Sequence, residues 1–72
     1  MITIIIDYGP LWATMEEKGI SQYRLLKDGI IDNKTLDSLK KGKNVTALTL
    51  GRLCLYLECT ADQIVQFRQA NP

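Results

Sequence analysis

The chain contains no histidine, and its two cysteines, Cys54 and Cys59, stand five residues apart without a CxxC or any companion ligands. The first absence removes the commonest general base. The second leaves no spacing suited to a metal site or to thiol catalysis, so the pair reads as reduced and mostly buried. No carboxylate pair is flanked by a pocket-forming pattern, and no glycine pattern suits phosphate binding. The sequence therefore does not indicate an enzyme, and it calls for no cofactor. The run "MITIII" is too short for a signal sequence and lacks a basic flank. No stretch approaches the roughly 20 apolar residues of a membrane helix. A cytoplasmic location is expected, with no membrane partner and no small-molecule ligand. Aromatic residues make up only 7% of the chain, which leaves no evident stacking platform for RNA. Linkers, repeats and low-complexity segments are also missing.

What remains is one domain, residues 1–72, that is 46% hydrophobic and 24% charged, the balance of an ordinary globular chain. A helical unit this small often gains stability by pairing with a copy of itself. The formal net charge of +1 conceals a division along the chain. Between Lys18 and Lys43 seven basic residues face three acids, a net of +4; elsewhere two basic residues face five acids, a net of −3. A positive middle is what a polyanionic partner requires, although a solvated surface can carry the same charges.

The β-branched "ITIII" predicts a strand over residues 2–6, which has to be paired either by the C-terminal "QIVQF" or by a neighbouring subunit. Pro10 and Gly19 bracket a first helix over 10–18, with Leu11 and Met15 on its inner side. Ser21 caps a second helix over 22–28, with Leu25 and Leu26 inward, and Gly29 ends it. Asp32 then caps a third helix over 33–41, anchored by Leu36 and Leu39 and stopped at Gly42. Thr46 caps a fourth over 47–58, whose inner stripe is Leu50, Leu53, Cys54 and Leu57. Gly51 weakens that helix and so predicts a close approach by another one. Thr60 and Gln63 form a capping-box pattern that opens a fifth helix over 61–67. The predicted fold class is all-α: a compact five-helix bundle behind a short strand.

The third helix carries the chemistry. Leu36 and Leu39 define its back, and at about 3.6 residues per turn Lys34, Asp37, Ser38 and Lys41 fall opposite, at i, i+3, i+4 and i+7. Asn33 stands beside them at the exposed N-terminal end. Asn suits adenine, Lys suits guanine, and Ser suits either. Any solvated helix shows such residues, so the row alone does not establish a reading face. Its neighbours strengthen it: Ser21-Gln22 opens the preceding helix, Gly42-Lys43-Asn44 closes this one, and Lys40, Lys41 and Lys43 cluster at its end.

With these residues in view, "GISQYRLLKDGIIDNKTLDSLKKGKNVTALTLGRLCLYLECTADQIVQF" resembles the Cro and phage-repressor (Xre) type helix-turn-helix domain, which is lambda-repressor-like in fold. It is most similar to small stand-alone bacterial regulators with a short leading strand. The resemblance covers roughly residues 10 to 67. Its most specific parts are "ISQYRLL", the "TL-x-x-L-x-x-GK" of residues 35–43, and "LCLYLECTADQIV".

The resemblance implies a sequence-specific double-stranded DNA-binding transcriptional regulator, expected to be a repressor. Asn33, Lys34 and Ser38 match base-reading positions. Gln22, Thr35, Lys41, Lys43 and Asn44 match contacts to the DNA backbone. Such proteins bind palindromic operators as homodimers, with recognition helices about 34 Å apart. Three features depart from the pattern. The order Gly29-Ile30-Ile31 shifts the turn glycine, Met15 and Lys40 replace an ion pair between the first and third helices, and Asp37 lies on the reading face. Trp12 reads as packing, whereas Tyr56 and Leu55 fit either packing or a dimer seam. A second reading keeps the fold but makes it an antitoxin-like or accessory protein-interaction module without DNA reading.

Overall fold

Isoleucine and threonine fit a pleated backbone, and the first element of the computed structural model, which describes residues 3–70, is accordingly a strand. This strand, β1, spans Ile4–Asp7. Four α-helices follow: α1 Gly9–Lys18, α2 Gln22–Lys27, α3 Asn33–Lys41 and α4 Ala47–Leu57. A single 3-10 turn at Ala61–Gln63 and a second strand, β2 Gln66–Gln69, complete the order. The two strands are antiparallel, with Ile4 opposite Gln69, Ile5 opposite Arg68, Ile6 opposite Phe67 and Asp7 opposite Gln66.

This corrects two expectations. The fifth helix over 61–67 is only a 3-10 turn followed by a strand, so among the described residues the fold keeps its helical class but has four α-helices and a two-stranded sheet in place of five helices and a lone strand. Thr60 N–H does donate to Gln63 Oε1 at 3.2 Å, which starts a turn. Ile64 and Val65 then drop into the core, and the backbone beyond them bonds to β1 instead of to itself. Of the two partners foreseen for "ITIII", the C-terminal segment of the same chain is the one found. The strand foreseen over 2–6 extends to Asp7, and its first residue, Ile2, lies outside the described residues.

The helices pack through the sides their periodicity marked. Leu11, Leu25, Leu39, Leu53, Leu57 and Ile64 are fully buried, joined by Met15, Leu36 and Ile31. Full burial of such a side chain contributes roughly 1.5–3 kcal/mol before entropy is counted. Trp12 is half-buried against this cluster, as packing requires. Thr14 is buried but not orphaned, because its hydroxyl donates to the Gln63 carbonyl at 2.8 Å. Met15 and Lys40 make no substitute for the missing ion pair: Met15 is core and Lys40 is exposed.

Backbone reversals end the helices. After α1, Gly19 has φ 69° and Ile20 N–H returns to the Met15 carbonyl at 2.9 Å. After α3, Gly42 has φ 70° and Lys43 N–H returns to the Ser38 carbonyl at 2.9 Å. Both are Schellman closures, which need a left-handed residue. The end of α4 repeats the device without glycine: Glu58 takes φ 53°, and Cys59 N–H donates to the Cys54 carbonyl at 3.0 Å. That closure leaves both cysteines free and half-buried, and burial, with Cys54 adding to it, pushes the Cys59 thiol up. Gly51, expected at a close helix contact, is exposed, and a Cβ there would meet nothing within 4 Å.

Gly19→Ala and Gly42→Ala should both destabilise, since left-handed backbone costs an L-residue about 1–2 kcal/mol. Gly42→Ala should cost more, because its new Cβ would also lie 3.1 Å from the Ile6 carbonyl oxygen. Urea denaturation of the two variants checks the order; equal losses would mean that the Ile6 contact is irrelevant.

Candidate nucleic-acid interface

Two helices joined by a turn can present a side-chain row only if the turn is rigid. Here three local devices fix it. Ser21 opens α2, its hydroxyl accepting from Arg24 N–H at 3.2 Å. Gly29, with φ 70°, closes α2, as Ile30 N–H donates to the Leu25 carbonyl at 2.9 Å and Gly29 N–H to the Leu26 carbonyl at 3.1 Å. Ile31 is buried beneath the turn, and one residue later Asp32 Oδ1 accepts from Thr35 N–H at 2.7 Å to start α3. The glycine that looked displaced is thus the left-handed residue of a Schellman closure.

With Leu36 and Leu39 buried, α3 exposes Lys34, Asp37 and Lys41 and half-exposes Ser38. Asn33 is exposed at its N-terminal end, and Thr35 is half-buried on its flank. Gln22 is half-buried at the start of α2, while Lys43 and Asn44 are exposed in the turn after α3. The fold therefore brings the eight sequence-marked residues to the outer side and the ends of the α2–α3 unit. Asp37 lies on the same face and is not isolated there: its Oδ2 is 3.1 Å from Lys41 Nζ. Both side chains are more than half exposed, so water screens the pair, and it is worth little to stability. Its consequence is electrostatic, because it partly neutralises one cation of the row.

Two tyrosines brace this unit. Tyr8 is buried, and its hydroxyl donates to the Lys43 carbonyl at 2.8 Å, tying the turn after α3 to the start of α1. Tyr56 donates to Asp28 Oδ2 at 2.5 Å, tying α4 to the residue that caps α2, and this bond is the main cause of its raised phenol pKa. Tyr56 thus braces the helix-turn-helix, while its neighbour Leu55 is 83% exposed. Neither brace carries a local sequence signal, since the partners lie 35 and 28 residues away. A shallow cleft beside the turn adds Thr49 and Arg52 of α4 to the surroundings of Asn33.

A family profile, the Cro/C1-type HTH DNA-binding domain, matches residues 10–70. The chain belongs to that family. Among solved structures it is similar to the crystal structure of the transcriptional regulator VanUg, with a TM-score of 0.85 and 23% identity over 92% of this chain and 88% of that one. At that identity the likeness shows a shared fold. Comparison with curated protein sequences gave no match. Strand β1 precedes the matched residues, and among the described residues no helix is long and apolar enough to cross a membrane.

The cap that aims α3 makes stability depend on acid. Thr35 N–H, and after it the Thr35 hydroxyl, hold the Asp32 carboxyl below its ordinary value. Gly9 N–H and then Arg68 do the same for Asp7, against the opposing effect of burial. Folded-state values below the unfolded value of about 4 mean stability that is complete above it and lost as pH falls through the folded values. The melting temperature should therefore fall below about pH 4. Asp32→Asn, which keeps a capping oxygen, should flatten part of that fall. Superimposable acid profiles for wild type and an Asp7→Asn, Asp32→Asn double variant would refute the assignment.

Proposed function

We propose that this protein is a sequence-specific regulator of transcription that binds double-stranded DNA as a homodimer on a palindromic operator. In this reading α3 lies in the major groove, where Asn33, Lys34 and Ser38 meet base edges. Gln22, Thr35, Lys41, Lys43 and Asn44 hold the sugar-phosphate backbone on either side. The observation that carries the reading is the polar outer row of α3, held at a fixed angle by the Gly29 closure and the Asp32 cap over the buried Leu36 and Leu39. A rigid amphipathic helix of this length suits the groove, and its polar residues have the donors and acceptors that base edges require. The similarity in fold to a protein described as a transcriptional regulator supports it. Repression is the mode that occupancy alone can produce, since a covered operator is closed to polymerase. That role places the protein in the cytoplasm beside the DNA it reads.

The Asp37–Lys41 pair favours a second reading, a protein-interaction module of antitoxin-like or accessory type, because it reduces the positive charge offered to phosphate. In that case random duplex would show no retardation in a low-salt gel shift.

The roles separate in binding assays. Lys34→Ala should cost about 1–3 kcal/mol on the selected operator and relax preference at one base position. Lys43→Ala should weaken all sequences alike and lower the salt slope by about 1. A change of preferred base in the Lys43 variant would reverse these assignments. Asp37→Asn releases Lys41 and should raise affinity for specific and random duplex together, as titration by fluorescence anisotropy would measure. A loss of affinity would instead make Asp37 a base contact.

A further inference from the structure

The strongest unexplained surface lies on α4, turned away from the core. Leu48 and Leu55 are 66% and 83% exposed, and Gly51 between them has no atom within 4 Å of a built Cβ. At i, i+3 and i+7 these three residues share one face of the helix. Just past Leu55 the chain opens into a shallow concavity lined by Cys54, Leu55, Glu58, Cys59, Thr60 and Gln63. Two large exposed leucines beside a concavity make a surface with a projection and a recess.

We infer that this α4 face is a self-complementary docking surface for a second copy of the chain. The two α4 helices cross antiparallel about a two-fold axis near Leu55. Leu55 of each protomer meets its equivalent, and Leu48 of each enters the concavity of the other. Distribution of charge along the element fixes the direction. Arg52 lies at its middle, and Glu58 and Asp62 lie at and beyond its C-terminal end. Antiparallel apposition brings each Arg52 toward the partner's acidic end, whereas a parallel pair would set like against like. Gly51, one turn before the crossing, then has the use that its place in a helix interior suggested: it lowers the surface that faces the partner chain, though between chains and not within one.

The other exposed apolar residues make a poorer seat. Ile4 and Phe67 lie on one face of the two-stranded sheet, and Ile5 lies on the opposite face. That second face also carries the Asp7–Arg68 ion pair. No single apolar patch results.

The inference supplies the interface of the homodimer proposed above, and rests on that reading only for its two-fold symmetry. Sedimentation equilibrium of the full chain, without DNA, tests it directly. Wild type should dimerise, and Leu55→Glu should raise the dimer dissociation constant roughly 30-fold or more, the loss expected of a central anchor. Because residue 55 is exposed, circular dichroism and the melting temperature of the monomer should not change. Arg52→Glu should also weaken the dimer, and the double variant Arg52→Glu, Glu58→Arg should recover part of the loss. A monomeric wild type at millimolar concentration would overturn the inference. So would a dimer that survives Leu55→Glu but is lost in Phe67→Lys, which would move the interface to the sheet. The same samples are titrated with a random duplex at low salt. Dimerisation without DNA binding would sink the regulator reading and leave the α4 interface standing; DNA binding by a wild type that stays monomeric would do the reverse.

Discussion

The first three helices all end in the same way: a glycine turns left-handed, and the next N–H reaches back to a carbonyl five residues earlier. That backbone closure satisfies carbonyls that a helix end would otherwise leave to water, and it reverses the chain within two residues. Everything that follows depends on where it acts. If α2 ran one residue further, every side chain of α3 would rotate by about 100°, and Leu36 and Leu39 would leave the core. The stop at Gly29 is therefore coupled to the burial of Ile31, Leu36 and Leu39 just beyond it. Local conformation and packing impose the same register, and this agreement makes a turn of so few residues rigid.

Local determination also explains what could be read in advance. The caps Ser21, Asp32 and Thr46 and the stops Gly19, Gly29 and Gly42 act within five residues, so the four helices and their inner leucines were legible. The placement of the α3 row was legible for the same reason: it needs only helical periodicity and two buried leucines. Apart from the shifted Gly29, the misreadings involved partners that the local sequence does not name. Thr60 and Gln63 signal the start of a turn, but nothing near them tells that residues 66–69 will pair with β1, some sixty positions away in sequence. Gly51 signals a weakness in α4, but nothing near it tells that no other helix of the chain approaches it. Tyr8 and Tyr56 look like ordinary amphipathic aromatics until the folded chain brings Lys43 and Asp28 to their hydroxyls.

Those two tyrosines change how the interface should be regarded. A helix held only by leucines could rock about its apolar stripe, because dispersion contacts have little direction. Hydrogen bonds do have direction. Tyr8 holds the exit of α3 and Tyr56 holds the exit of α2, so the helix-turn-helix is tied at both helix C-termini to parts of the fold outside it. Gly42 serves the same end in another way, since its missing Cβ lets the backbone of β1 pass within contact of the turn. The small sheet thereby becomes a support for the turn that carries Lys43 and Asn44.

Electrostatics then argue for two copies. The whole chain carries a net charge of only +1, so long-range attraction to DNA is slight and depends on the local excess between Lys18 and Lys43. Within the proposed contacts that excess amounts to Lys34, Lys41 and Lys43, and Asp37 already occupies part of Lys41. Each neutralised phosphate contributes about 0.9 to the salt slope, so one protomer has little to draw on. A rigid pair doubles the number of phosphates held. It also turns the second half-site contact into an intramolecular event, at an effective concentration that a free monomer cannot reach. A nearly neutral chain can bind DNA tightly in this way without becoming a general polycation, provided that the surface joining the copies lies away from the lysines. The C-terminal end of α4 suits that condition, because Glu58 and Asp62 repel phosphate and would attract the arginine of another copy, whereas Arg52 already stands in the cleft beside Asn33.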